Sequence, residues 1–408
     1  MSTSTSFLIH DTTVFNAVDG QLKHHHSVAV ENEKISWIGP SDQAPAFPAE
    51  NIRDGRNRTL FPGLMNCHVH MIGDGEEAAE SGSAFSDSPI YGTVQAVQNM
   101  RKTIATGVTS VRDCGSIDGL AIEMAKIVAS GMIPGPRVQA AGRVITMTGG
   151  HGHFMGRQAD GPWGVAAATR AELHAGADFI KIMATGGVLT LGVTPHQTAL
   201  HVQELEAAVA EAHNAGKRIT SHAIGGQGVK NALAAGLDSI EHACFMDDEA
   251  IEMAINRGTI IVPTLIAVNR IVTNGDTLPG WMYEKALSES EASESSFRAA
   301  IAAGVKIACG TDAGTPFNPH TEVPAELALM VEFGMTTTQA LLAATTVSSE
   351  NFGLENELGT IEVGKRADLL LVDGNPVDDI RAVRNVVLVT KDGTFARDDL
   401  GPMITREL

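Results

Sequence analysis

The sequence predicts an α/β chain, a (β/α)8 TIM barrel with a small β-sandwich domain formed from both chain ends. Three observations predict it. Short apolar strand-like runs alternate with helix-like ones through the middle of the chain, helix after helix meets a glycine stop just before the next strand, and both ends read as short strands separated by turns.

Residues 1–60 carry FLIHDTTVFNA and SVAVENEKISWIG, with Glu31-Asn32-Glu33 between two strand-like pieces. This predicts a small antiparallel β unit, the first part of the sandwich. The character changes at Leu60, where the apolar run LFPGLMNCHVH leads into a pair of histidines.

Over residues 61–355 the strand candidates are Gly63 to Val69, Val108 to Arg112, Arg137 to Ala141, Asp178 to Met183, Arg218 to His222, Ser239 to His242, Thr259 to Pro263 and Val305 to Gly310. Eight strands over roughly 290 residues suit a closed barrel, which takes roughly 250 or more. Between them, HVQELEAAVAEAHNAGKR sets Leu205, Val209 and Ala212 at helical spacing and ends at Gly216; Gly131, Gly236, Gly258 and Gly304 are similar stops. Residues 356–408 return to strands, with Val386 to Thr390 and Lys391-Asp392-Gly393 reading as a hairpin that completes the sandwich.

The chain has 408 residues, 48 acidic and 29 basic, for a net charge of −19. That sign argues against nucleic acid or an anionic membrane as partner. Apolar residues at 43% and charged residues at 19% suit a large buried core. Cys67, Cys114, Cys244 and Cys309 form no CxxC pair, so neither a zinc ribbon nor a disulfide framework is indicated and a reducing cytoplasm fits. No apolar stretch approaches the ~18 residues of a membrane span, and the start lacks a signal-peptide pattern. The expectation is a soluble, unprocessed, cytoplasmic protein.

In a parallel barrel the active site lies at the C-terminal ends of the strands. Strand one ends in His68-Val69-His70, and side chains two apart on a strand point the same way, so both imidazoles reach one ion. Strand four carries Lys181 in FIKIMATGG, strand five ends at His222 in RITSHA, strand six at His242 in SIEHA, and strand eight at Asp312 in IACGTDAGTP. Each alone has a plain reading. HxH occurs by chance, a lysine in an apolar run snorkels at an edge, histidines sit satisfied in cores, and Asp312 caps a turn. Delivered in order by different strand ends, they point together to a metal site.

Other candidates are weaker. His151 and His153, in the TGGHGH loop after strand three, are candidates to contact substrate or a transition-state oxygen; the alternative is a glycine-rich turn with solvated histidines. Arg143 and Arg157 are candidates for a substrate carboxylate. His196 and His201 fall on the loop after strand four, a candidate lid. His24, His25 and His26 read as an exposed turn.

These residues and motifs resemble the amidohydrolase superfamily, metal-dependent hydrolases on a (β/α)8 barrel flanked by a small β-sandwich. SVAVENEKISWIG, LFPGLMNCHVH, TGGHGH, SIEHA, GTDAG and GTIEVGKRADLLLVDGNPVDDI match in order over essentially the whole chain. Within it the chain is most similar to the imidazolonepropionase-like and Xaa-Pro or Xaa-Arg/Lys dipeptidase-like members with two metals. The resemblance implies that His68, His70 and Asp312 bind one divalent ion and His222 and His242 another, with Lys181 bridging them. A free ammonium cannot sit between two cations, so Lys181 is implied to be carboxylated by CO2 to a carbamate. The ligands suit zinc and leave manganese, cobalt or iron open.

On the same grounds a metal-bridging hydroxide is the implied nucleophile, and Asp312 the group that takes its proton and returns it to the leaving nitrogen. A homo-oligomer is also implied. Dipeptide-cleaving relatives often place a His or Tyr two residues after the strand-five histidine to stabilise the carbonyl oxygen. Here that residue is Ile224, which donates no hydrogen bond, so either another group such as His151 does this or the substrate differs.

The expected function is therefore cleavage of an amide bond in a small molecule, a dipeptide or N-acyl amino acid. The alternatives are hydrolysis of a cyclic amide, imidazolone or lactone, or deamination, and Lys181 counts against the last. A scaffold without chemistry is disfavoured because no ligand is missing.

Overall fold

The computed structural model describes residues 6–76 and 88–401. The chain opens with β1 (Ser6–Phe15), β2 (Leu22–Glu31), β3 (Lys34–Pro40), β4 (Ile52–Asp54) and β5 (Arg58–Pro62). The Glu31-Asn32-Glu33 turn joins β2 to β3 with Asn32 in the left-handed region. His24 and His25 are exposed as expected and His26 is half-buried, but all three lie within β2 rather than in a turn; a bulge against β1 places His25 at a positive φ.

The βα body follows. It comprises β6 (Leu64–Val69), α1 (Pro89–Ala105), β7 (Val108–Asp113), α2 (Leu120–Ala129), β8 (Arg137–Ala140), β9 (Val144–Thr146), β10 (Gly156–Gln158), α3 (Gly161–Ala175) and β11 (Ile180–Met183). Then come α4 (Val202–Asn214), β12 (Ile219–Ala223), α5 (Gly226–Ala235), β13 (Ser239–His242), α6 (Asp248–Arg257), β14 (Ile260–Val262), α7 (Leu265–Thr273) and α8 (Gly280–Ala303). α9 (Val323–Glu332), α10 (Thr337–Ala343) and α11 (Thr346–Phe352) close it. Helices α5, α6 and α8 end at the expected glycines, Gly236, Gly258 and Gly304, each in the left-handed conformation that closes a helix without strain.

The strands of the body are parallel and hydrogen-bond as two sheets, β6-β7-β8 and β10-β9-β11-β12-β13-β14. Backbone bonds run between them on both sides. Asp178 N donates to Ala140 O (2.8 Å) on one side. On the other, Ile261 N donates to Lys306 O (2.9 Å) and Cys67 N to Cys309 O (2.8 Å), so residues 306–309 lie between β14 and β6. The eighth expected strand, Val305 to Gly310, makes only an isolated bridge, Ile261 with Ile307, because left-handed Asp312 and Gly314 turn the chain away soon after. The third expected strand stops at Ala140, bends at left-handed Gly142 and resumes as β9, so TGGHGH lies between β9 and β10.

The C-terminal strands β15 (Leu369–Asp373), β16 (Val386–Lys391) and β17 (Thr394–Asp398) join the N-terminal ones in one continuous sheet, β17-β16-β15-β5-β1-β2-β3, with β4 beside β1. Both ends of the chain meet where β5 and β15 pair antiparallel, Phe61 opposite Leu370. Both faces are buried. Leu369 and Leu371 pack with Phe7, Ile9, Val28 and Leu388, while Leu370 and Val372 join the core of the βα body. Gly63 links β5 to β6 where a Cβ would lie 2.2 Å from the Thr109 hydroxyl, so this passage into the site strand accepts only glycine. No helix among the described residues is long and apolar enough to cross a membrane.

Candidate metal centre and pocket

The strand ends gather the expected side chains in one cavity of about 650 Å³, mouth included, lined by His68, His70, His151, Lys181, His222, His242 and Asp312. His68 Nε2 and His70 Nε2 each lie 3.3 Å from Asp312 Oδ1. On the other side the His222 and His242 rings are 4.5 Å apart, and the His68 and His242 rings 5.2 Å. Lys181 is 1% exposed, and its Nζ has no hydrogen-bond partner among the described residues.

Each imidazole is oriented through one nitrogen. His68 Nδ1 meets Glu241 Oε2 (2.9 Å), His70 Nδ1 donates to Gly115 O (2.8 Å), His222 Nε2 donates to Gly186 O (3.0 Å) and His242 Nδ1 meets Thr264 Oγ1 (2.7 Å). This is how metal-binding histidines are held: the outer partner fixes the ring and turns the second nitrogen to the centre. Glu241 is itself fixed by Thr220 Oγ1 at 2.6 Å. His68, Cys114 and Glu241 form a second close group. There burial keeps the Cys114 thiol protonated, its pKa pushed well up, so Glu241 serves His68 as an outer partner.

Burial holds His68 and His222 well below the usual imidazole range. Burial opposes ionisation of Asp312 too, but His68 and His70 outweigh it and hold the carboxyl below the usual range. His70 differs: burial lowers it, but Asp312 beside it outweighs burial and raises it above the usual imidazole value. Imidazoles gathered around an ionised carboxylate are a ligand set for a divalent cation, which binds them once they are deprotonated. The buried lysine amine fits that set only as a neutral or anionic derivative, because an unpaired ammonium here has nothing to offset its desolvation.

Of the weaker candidates, His151 belongs to the cavity and His153 does not. His151 is buried, its ring 4.4 Å from that of His222, with Nδ1 held by Thr190 Oγ1 at 2.9 Å. Gly187 lets the loop after β11 pass close to this ring, since a Cβ there would lie 2.6 Å from His151 Nε2. His153 is exposed and turns Nδ1 to Gly150 O. Arg143 pairs with Asp118 and Arg157 with Glu172 (2.6 Å), and neither lines the cavity. His196 packs against Phe245 with the rings tilted by 58°, and His201 caps α4 with Glu204.

Sequence reasoning missed Glu289. It projects from the middle of α8 on the buried stripe Met282, Ala286, Glu289, Ser293 and Phe297, and lines the cavity with neither carboxylate oxygen hydrogen-bonded among the described residues. Its place in ESEASESS suggests a solvated face; only the helical phase set by Met282 and Phe297 turns it inward. Apart from Thr315, the rest of the wall is apolar, with Phe154, Met155, Met183, Val188, Ile224 and Ile271 among its residues.

Burial pushes Glu289 up to about 8 from 4.5, only partly countered by Lys285. The unfolded chain therefore loses this proton first, and the stability of the neutral carboxyl is lost as pH rises from about 4.5 through about 8. Glu289→Gln should match the parent's Tm near pH 5 and exceed it at about pH 9, by roughly 2–5 °C. Thermal melts at the two pH values check this, and an unchanged difference between them would contradict it.

Residues 59–396 match the Amidohydrolase family. A solved Xaa-Pro dipeptidase with methionine bound in its active site is 34% identical, with a TM-score of 0.90 over 96% of this chain and 99% of that one. Ochratoxinase of Aspergillus niger is 28% identical over 403 residues, covering 91% of this chain and 82% of the relative. Imidazolonepropionase of Legionella pneumophila is 25% identical over 405 residues, covering 89% and 91%. Such neighbours imply a TIM barrel with a second domain. The resemblance carried by the motifs thus holds over the full length of the fold, and the chain belongs to the amidohydrolase superfamily as a hydrolase of C–N bonds.

Proposed function

We propose that the chain is a binuclear amidohydrolase on a closed (β/α)8 barrel that cleaves the amide bond of a dipeptide or N-acyl amino acid with a bulky apolar group beside it. The observation that carries this reading is Lys181: a fully buried amine without a partner, placed among four oriented histidines and Asp312. His68, His70 and Asp312 would hold one divalent ion, His222 and His242 the other, and Lys181, carboxylated by CO2, both. When bound, such ions supply Lewis-acid polarisation of the amide carbonyl and a water acidic enough to ionise near neutral pH.

The chain's own residues do the rest. Asp312, kept ionised by His68 and His70, takes the proton of the attacking water and returns it to the nitrogen, which leaves poorly as an anion. Burial, with help from His242, pushes His151 down to about 3, so it is a neutral imidazole near neutral pH. Thr190 Oγ1 accepts from Gly152 N (3.1 Å) and lies 2.9 Å from His151 Nδ1; in the tautomer in which the hydroxyl donates to Nδ1, the ring proton is on Nε2. His151 then offers the N–H that Ile224 lacks. Ile224 instead extends the apolar wall, and this wall supports the choice of apolar groups. The likeness to a Xaa-Pro dipeptidase and to ochratoxinase supports an amide bond in a small molecule.

A mass-spectrometric screen of the zinc-loaded protein against pooled dipeptides, N-acyl amino acids, cyclic amides and lactones tests this. Cleavage of members with large apolar side chains in the first two pools is expected. The likeness to imidazolonepropionase favours a second reading, and turnover confined to cyclic amides would establish it instead.

A further inference from the structure

The strand-six ligand ends in an unusual stretch of backbone. His242 and Ala243 have φ of 72° and 53°, and Thr264, whose hydroxyl holds His242 Nδ1, has φ of 49°. Left-handed conformations at β-branched or bulky residues persist only where their surroundings fix them. Thr264 is also the N-cap of α7, and a threonine there ordinarily turns its hydroxyl onto the helix's first free N–H groups. Here it makes no such bond: its backbone is left-handed rather than extended, and its hydroxyl meets His242 Nδ1 instead.

The free N–H groups are served from another helix. Glu326, fully buried on α9, accepts from Leu265 N (3.0 Å) and Ile266 N (2.7 Å). Burial pushes Glu326 up to about 8, and its carboxyl oxygens satisfy two of the helix's orphan donors by hydrogen bonding. A second link joins the same helices: Arg270 of α7 pairs with Glu322, the N-cap of α9, at 2.6 Å. α7 also brings Ala267, Val268 and Ile271 to the cavity wall.

We propose that Glu326 is a positioning residue for the metal centre: by capping α7 in place of Thr264, it releases the Thr264 hydroxyl to hold His242 in its ligand orientation. This rests on the binuclear reading of His242. In Glu326→Gln one acceptor becomes an NH2 that faces a backbone N–H, so Thr264 is drawn back to cap its own helix and His242 loses its partner.

The test is zinc affinity by chelator competition, with kcat, KM and Tm measured on the same preparations of the full chain. Glu326→Gln and Thr264→Val should each weaken one of two zinc ions by about 10–100-fold. Each should lower kcat more than KM, the double variant should be no worse than the poorer single one, and Thr264→Ser should restore binding. If Glu326→Gln does not fold, Glu326→Asp, which withdraws the carboxylate by one methylene, takes its place. Arg270→Gln breaks the other link between the same helices and should lower Tm while leaving both ions in place. A Glu326 variant that lowers Tm but leaves zinc affinity and kcat unchanged would overturn the proposal, as would losses that multiply in the double variant. His242→Ala separates the two claims. If it keeps both ions, the binuclear reading fails; if it loses one and the Glu326 and Thr264 variants do not, only the positioning role fails.

Discussion

Lys181→Met should lower kcat/KM on the order of 10³-fold or more while leaving the metal-free protein no less stable than its parent. The two effects have opposite origins. On the proposed binuclear reading, activity falls because the variant lacks the group that would bridge the two ions. Stability holds or rises because Met fills nearly the same volume without an amine, and the amine it replaces is buried and unpartnered. A lysine kept only for packing would behave otherwise, with activity nearly unchanged and a small loss of Tm. Steady-state kinetics with metal analysis, beside melts of the chelated proteins, check both halves. Full activity and full metal content in Lys181→Met would contradict the account.

The second large effect is expected at Asp312. Asp312→Asn keeps the shape but neither shuttles a proton nor carries the charge that His68 and His70 face at 3.3 Å. kcat should fall by about 10²–10⁴-fold, the range a positioned acid–base group contributes. KM should change little, because the apolar wall that holds the substrate is untouched. Substrates with better leaving groups should lose less, since protonation of the departing nitrogen matters less to them. An equal loss across a series of leaving-group pKa values would assign Asp312 to metal binding alone.

Much of the candidate centre was legible in the sequence because barrel geometry converts strand order into spatial order. His68, His70, Lys181, His222, His242 and Asp312 lie far apart in the chain, yet each falls at or near the end of a recognisable strand run, and the structure brings them into one cavity. Period-two spacing alone put His68 and His70 on one side. What escaped depends on helix phase and long-range contacts. Glu289 is hidden in an acidic run where its nearest buried neighbours on the helix are Ala286 and Ser293, and the large apolar residues that set the phase, Met282 and Phe297, lie about two turns away on either side. Glu241, one residue before His242, reads as an ordinary strand charge until His68 and Thr220 are seen to flank it.

Arg143 and Arg157 failed for the converse reason. They lie near the TGGHGH loop in sequence, but Asp118 and Glu172 already hold them, and neither acid is predictable as a partner from spacing. The fold shows the same division. Glycine helix stops and the C-terminal hairpin follow from local chemistry. The weak eighth strand does not, because the left-handed Asp312 that distorts its end is set by the site rather than by local preference.

The central claim is that a carboxylated Lys181 joins two ions. A crystal structure of the zinc-loaded protein grown with bicarbonate, with anomalous scattering recorded at the zinc edge, tests it most directly. Two peaks roughly 3.5–4 Å apart are expected, with continuous density from Lys181 Nζ to a carboxylate between them, His68, His70 and Asp312 on one ion and His222 and His242 on the other. A single peak held by His68, His70 and Asp312, with Lys181 ending at a bare amine, would contradict the account.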